Sequence, residues 1–291
     1  MAAVTIDQVI GSARVSARGE RLGLLWRSPT FLVGSAIVLF WAASAIFGRL
    51  LVPHDPFQPD ILHGLTPPSP AHWFGTDNLG RDVFARVIVG ARGILTVAPL
   101  ATLVGTFLGT SIGLIAGFFR GLVDDLLMRA VDAFLAVPVV IVGLLALVAL
   151  GPSNLTVILV IGIVFTPLIA RTVRAAVLAE RELEYVQAAQ LRKENALYTM
   201  FVEILPNVLP PVLVEFTVRL GYAIFVTATL SFLGFGIQPP APDWGLTIFQ
   251  QYIYLIGGAW WPALFPAFAI ASLVIGVNLV SDGLVQVFGK S

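Results

Sequence analysis

Three histidines, His54, His63 and His72, stand nine residues apart, with Asp55 and Asp60 among them. Imidazole and carboxylate are the ligand types of a zinc- or nickel-type centre. Such a centre needs its ligands to converge on one point. A nine-residue period on a segment punctuated by prolines from Pro53 to Pro70 predicts an extended, solvated loop instead. No metal site is expected. Covalent chemistry has no better candidates. There is no cysteine, no H-E-x-x-H pair and no Ser/His/Asp set, so no catalytic residue is assigned. The stretch "GLVQVFGKS" imitates the phosphate loop G-x-x-x-x-G-K-[ST], but one residue too many separates Gly283 from Gly289. An ATP site is therefore not expected in this chain.

The remaining polar residues of interest lie in apolar surroundings. Glu215 and Arg219 are spaced i and i+4 with the acid first, the favourable order for a helical pair. A charge at the bilayer centre costs about 2.5–3.5 kcal/mol on insertion scales, so it faces protein or water. Two readings of the pair stay open: an internal ion pair that lowers that cost, or the polar lining of a path through the membrane. Asn278 and Asp282 repeat the spacing and are expected to bond neighbouring helices or bordering water. Asp124, Asp125, Arg129 and Asp132 cluster before an apolar run and read as a solvated face.

These residues must be positioned by helices in lipid. Of 291 residues, 57% are hydrophobic and only 12% charged, with a mean hydropathy of +0.91. A soluble domain carries about 25% charged residues. The expected class is an all-α integral membrane protein. Net charge is zero and no Lys/Arg block is present, which excludes nucleic acid as a partner. A spanning helix needs about 20 apolar residues. Six stretches qualify: 31–52, 94–117, 134–150, 155–172, 208–235 and 260–285. An N-terminal arm (1–30) precedes them, a loop (53–93) follows the first, and a tail (286–291) closes the chain. "Ala43-Ser44-Ala45" resembles a signal-peptidase site, but the apolar run continues through Leu51, so the first span is read as a retained anchor.

Lys/Arg bias sets orientation. With the N-terminus inside, twelve cations fall on inner segments, against four (Arg49, Arg81, Arg86 and Arg92) on outer ones. Both termini are expected in the cytoplasm, and so is the polar segment "EYVQAAQLRKENALYTMFVEILPN", Glu184 to Asn207. There Tyr185, Ala188, Ala189 and Arg192 fall at i, i+3, i+4 and i+7. Two adjacent alanines predict a flat helical face open to close approach. Leu205-Pro206 is expected to stop the second half of the segment. Gly105, Gly109 and Gly113 form a G-x-x-x-G ladder that predicts close helix packing, within the chain or against a partner.

"YVQAAQLRKENALYTMFVEILPN" resembles the cytoplasmic "EAA" motif of ABC-importer permeases, Glu-Ala-Ala, three residues, Gly, nine residues, a hydrophobic residue, any residue, Leu-Pro. Gln187-Ala188-Ala189, Lys193, Glu203 and Leu205-Pro206 occupy that register. Three other stretches are similar to the C-type permeases of dipeptide and oligopeptide importers: "HWFGTDNLGRDVFARVIVGAR", "RGLVDDLLMRAVDAFLAVP" and "LSFLGFGIQPPAPDWG". The order is shared over residues 30 to 285. The resemblance implies a type I permease core (94–285) with an N-terminal extra helix and coupling helices at about 182–204. In that family the coupling helix docks into a separate ATPase, which here implicates Glu184, Tyr185, Gln187, Ala188, Ala189, Arg192 and Lys193.

Implied partners are a B-type permease subunit, two ABC ATPase subunits that bind the ATP and Mg, an extracytoplasmic substrate-binding protein, peptide substrate and membrane lipid. The implied location is the bacterial cytoplasmic (inner) membrane. Relatives of this architecture also carry nickel complexes or haem. A self-sufficient secondary transporter or channel is the alternative; it predicts inverted repeats, and none is visible. Three positions depart from the motif: Gln187 replaces Glu, Lys193 replaces Gly, and Glu203 fills an apolar position. The elbow is expected either to shift toward Asn195 or to tighten into a non-glycine turn.

Overall fold

The computed structural model describes residues 28–288. The arm up to residue 27 and the tail beyond Phe288, with the Gly289-Lys290-Ser291 phosphate-loop imitation, lie outside the described residues. Helices dominate, in the order α1 (Pro29–Leu51), α2 (Val83–Phe119), α3 (Gly121–Leu135), α4 (Val139–Leu150), α5 (Asn154–Arg181), α6 (Glu184–Leu191), α7 (Ala196–Phe232), α8 (Trp244–Gln251) and α9 (Trp261–Phe288). Among the described residues, β pairing is limited to one isolated bridge between Thr76 and Asp82.

Among the described residues, five helices are long and apolar enough to cross a membrane: α1, α2, α5, α7 and α9. The expected third span is the twelve-residue α4. At 1.5 Å per residue it covers about 18 Å, short of a full crossing by itself. Its predecessor α3 takes residues 121–135 as a separate amphipathic helix, because Arg120 and Gly121 both adopt positive φ and break the chain direction after α2. Residues 83–93, expected in the first loop, are the opening turns of α2. Asp82 caps that helix by accepting a 2.7 Å bond from the Ala85 amide, and the helix then runs without interruption through Pro99 to Phe119.

The closest packing joins α2 to α5. The glycine ladder makes it possible. A Cβ on Gly109 would stand 2.7 Å from Ile169 Cβ, and one on Gly113 would stand 2.7 Å from the Ala170 carbonyl. In return, a Cβ on Gly162 of α5 would meet Val104 at 2.7 Å. The partner that the ladder demands thus lies within the chain. Ion pairs extend the contact to α3. Arg174 of α5 grips both oxygens of Asp124 at 2.5 Å, and Arg171 pairs with Asp132. Two members of the acidic cluster read as a solvated face therefore fasten α3 to α5. The Arg174 guanidinium holds the Asp124 carboxyl below its usual range.

At the end of the bundle where α1 exits and α2 enters, residues 53–71 are mostly exposed, as expected of the loop, and residues 75–86 form a buried polar knot beside them. Asp77 is fully buried and accepts from the amides of Leu79 (2.9 Å) and Arg81 (3.0 Å) and from Arg81 Nε (2.7 Å). Arg86 Nη1 donates to the Pro56 carbonyl at 3.1 Å. Trp261 Nε1 donates to the Thr76 carbonyl, and Trp244 Nε1 to the Val87 carbonyl. Two of the four cations on the outer side of the charge count, Arg81 and Arg86, thus share the buried Asp77 carboxylate.

Candidate functional site

The segment between α5 and α7 is a helical elbow at the opposite end of the bundle. Leu183 enters in an extended conformation and starts α6 at Glu184. Tyr185 donates its hydroxyl to Glu180 Oε1 at 2.8 Å and accepts from Asn207 Nδ2 at 3.1 Å, so it ties α5 to the start of α7. Burial, helped by the Glu180 carboxylate, pushes the Tyr185 phenol above its ordinary range. Gln187 Nε2 donates to the Glu182 carbonyl at 3.1 Å.

The helix ends in a Schellman motif. The Lys193 amide bonds the Gln190 carbonyl at 3.0 Å and the Glu194 amide bonds the Ala189 carbonyl at 3.2 Å. The residue that must then turn left-handed is Lys193, at φ 59°. The elbow therefore stays at the motif's glycine position and tightens into a non-glycine turn. Asn195 does not take the positive φ. It caps the next helix instead, accepting from the Tyr198 amide at 2.6 Å. Glu203, the third departure, has a partner: Arg192 donates Nε to Glu194 at 2.7 Å and reaches Glu203 at 3.4 Å. Those two carboxylates raise the Arg192 pKa, Glu194 foremost.

Leu205-Pro206 does not stop the helix. Residues Thr199–Ile204 wind as a π turn and feed directly into the α-helical stretch from Leu205. Pro206 lacks an amide hydrogen, and its ring would crowd the carbonyl of an ordinary preceding turn. The wider π turn accommodates both conditions.

The flat alanine face is turned the other way from the sequence expectation. Ala189 and Val186 are fully buried, and α6 packs back on residues 199–204 and on α5. Tyr185 and Ala188 are half-buried. The exposed side is Glu184, Gln187, Gln190, Leu191, Arg192 and Lys193, with Leu191 84% exposed. The alanines fit α6 onto its own chain, so Ala189 offers no surface to a partner. Sequence periodicity had both faces to choose from and no signal for which was inward. The informative feature is Leu191, an apolar side chain on the polar face. A groove of about 490 Å³ lies beside it, lined by Arg120, Arg181, Glu182, Gln187, Gln190 and Leu191.

Far up the bundle, Arg219 Nε donates to Glu215 Oε1 at 2.6 Å, and the guanidinium lies 5.7 Å from the Tyr222 ring centroid. Both members are largely buried. One turn further along α7, Tyr222 and Gly221 face Asn278, Ser281 and Asp282 of α9 across a groove of about 330 Å³. At the knot, the structure brings His54 and His72 together with Asp82, while His63 pairs separately with Asp60. The premise that the loop keeps its histidines apart thus fails for two of the three.

A bundle of long apolar helices with one folded elbow defines a multi-pass membrane protein. Residues 109–291 match the family described as "binding-protein-dependent transport system inner membrane component", and the chain belongs to that family. It is 38% identical over 272 residues to the dipeptide transport system permease protein DppC of Alkalihalophilus pseudofirmus, covering 93% of this chain and 88% of that one. It is 35% identical over 264 residues to the probable D,D-dipeptide transport system permease protein DdpC of Escherichia coli, covering 90% and 88%. A chain of the MetNI methionine ABC transporter, solved in inward-facing conformations, shares the fold. Its TM-score is 0.55 at 18% identity, covering 70% of this chain and 95% of that chain.

Proposed function

We propose that this chain forms one half of the membrane path of an ATP-driven importer for di- or oligopeptides. It works with a B-type permease, two ATPase subunits that bind ATP and Mg, and an extracytoplasmic binding protein. Both termini and the α6 elbow lie in the cytoplasm. The stretch 238–261 faces the binding protein, and Glu215 and Arg219 border the path. The observation that carries the reading is the exposed rim of α6, Glu184, Gln187, Leu191, Arg192 and Lys193, held rigidly by the Schellman turn and the Tyr185–Glu180–Asn207 links. A surface that receives force must be stiff toward its own chain and open toward its partner. The relatives named for dipeptides support the cargo class.

The test is reconstitution. The chain, co-purified with its P-loop ATPase and B-type partner in proteoliposomes, takes up dipeptide only with ATP. Uptake by this chain alone without nucleotide would overturn the reading.

A further inference from the structure

We propose that His54, His72 and Asp82 form a binding site for one divalent transition-metal ion of the zinc or nickel kind. The three come from separate parts of the knot: the exit of α1, the loop, and the N-cap of α2. One ligand atom from each lies within 4.8 Å of the others. The His54 and His72 rings stand 4.8 Å apart, tilted by 37°.

His54 and Asp82 are each held by a backbone group through the atom that the ion would not take. Asp82 is buried, and its Oδ1 is held by the Ala85 amide at 2.7 Å. Its Oδ2 accepts from His72 Nδ1 at 2.8 Å, the only ion-pair partner of Asp82 among the described residues. His54 donates Nε2–H to the Ala71 carbonyl at 2.9 Å. An imidazole that gives one N–H to an oxygen acceptor keeps a lone pair on its other nitrogen, the arrangement common to metal-bound histidines. An ion entering here replaces the proton between His72 and Asp82, and the neutral His72 ring then carries its proton on Nε2. Two imidazoles and one carboxylate suit zinc or nickel better than calcium or magnesium. His54 is exposed, so solvent can fill the remaining coordination position. His63 and Asp60, by contrast, form an exposed pair that no third ligand joins. The bound ion clips the exit of α1 to the entry of α2.

The test uses the full chain in its assembled transporter, in nanodiscs, stripped with chelator and titrated with zinc or nickel ions. Wild type retains one equivalent after desalting. His54→Ala and His72→Ala each weaken binding about tenfold or more, and His63→Ala leaves it unchanged. Zinc raises the melting temperature of wild type but not of His54→Ala, whose metal-free melting temperature equals that of wild type. That equality separates ligand loss from misfolding. Absence of retention in wild type, wild-type binding by His54→Ala, or loss confined to His63→Ala would each overturn the site.

Discussion

Asp77 and Arg192 each gather several charged or polar groups, one at either end of the same bundle. Asp77 is wholly buried and satisfied by two amides and a guanidinium. Arg192 is exposed and bonds two carboxylates across an elbow of strained backbone. The knot around Asp77 is built from tryptophan N–H groups, caps and carbonyls that close on one another. The elbow around Arg192 closes only on its inner side, where Ala189 and Val186 sit, and leaves a rim of polar side chains and Leu191 outside. Polar residues at an end of a membrane bundle can therefore serve to anchor or to contact. Burial of the charged group tells the two uses apart.

The largest expected effect is at the knot. Asp77→Ala leaves Arg81 and Arg86 without their buried counter-charge, and removing one partner of such a set costs about 3–5 kcal/mol. Denaturation in detergent should show that loss. A loss under about 1 kcal/mol would place the knot with surface ion pairs and erase the contrast.

At the elbow the effect should be on coupling and not on folding. Leu191→Asp is expected to lower ATP-driven uptake about tenfold, equivalent to about 1.4 kcal/mol of docking, with melting temperature unchanged. Ala189→Asp, on the buried side, should instead destabilise the chain. If the two variants behaved alike in both assays, the assignment of inner and outer faces would be wrong.

Asp243 sharpens the knot side through pH. Burial pushes its carboxyl up to about 6 from 3.8, against the pull of the Leu246 amide, which it caps at 2.8 Å. The folded state then holds the proton more tightly than the unfolded one. Its contribution to stability is full below pH 3.8 and is lost as pH rises through about 6. Melting temperature should fall across that window in wild type. Asp243→Asn, which keeps a capping oxygen, should flatten the curve.

The smallest effect belongs to Lys193. A side chain at φ 59° costs about 1 kcal/mol relative to glycine. Lys193→Gly should raise the stability of the elbow by that amount in a melting series.

Much of the helical plan was legible in residue types. The apolar runs gave five spanning helices among the described residues, and the glycine spacing announced close helix packing though not its partner, because period and side-chain size are local properties. The register from Gln187 to Pro206 located the elbow. The i, i+4 spacing paired Glu215 with Arg219 before any coordinate did. What could not be read locally was direction. Ala188 and Ala189 suit an outward docking face as well as an inward packing face, and only the position of residues 199–204 decides between them. The π turn was illegible for a similar reason. Pro206 forbids an ordinary turn, but whether the chain breaks or widens depends on what the helix packs against.

The sequence by itself determined that this chain lives in lipid, that it crosses in long helices, and that one polar segment interrupts the apolar runs. Those conclusions follow from hydropathy and from spacing along one helix. Tertiary structure alone decided which charges are buried, which alanines are hidden, and that His54, His72 and Asp82 share one corner. Convergence of residues 18 and 10 positions apart, as from His54 to His72 and from His72 to Asp82, is set by how the loop packs on Trp261 and α2. Sequence separation carries no distance until that packing has been made.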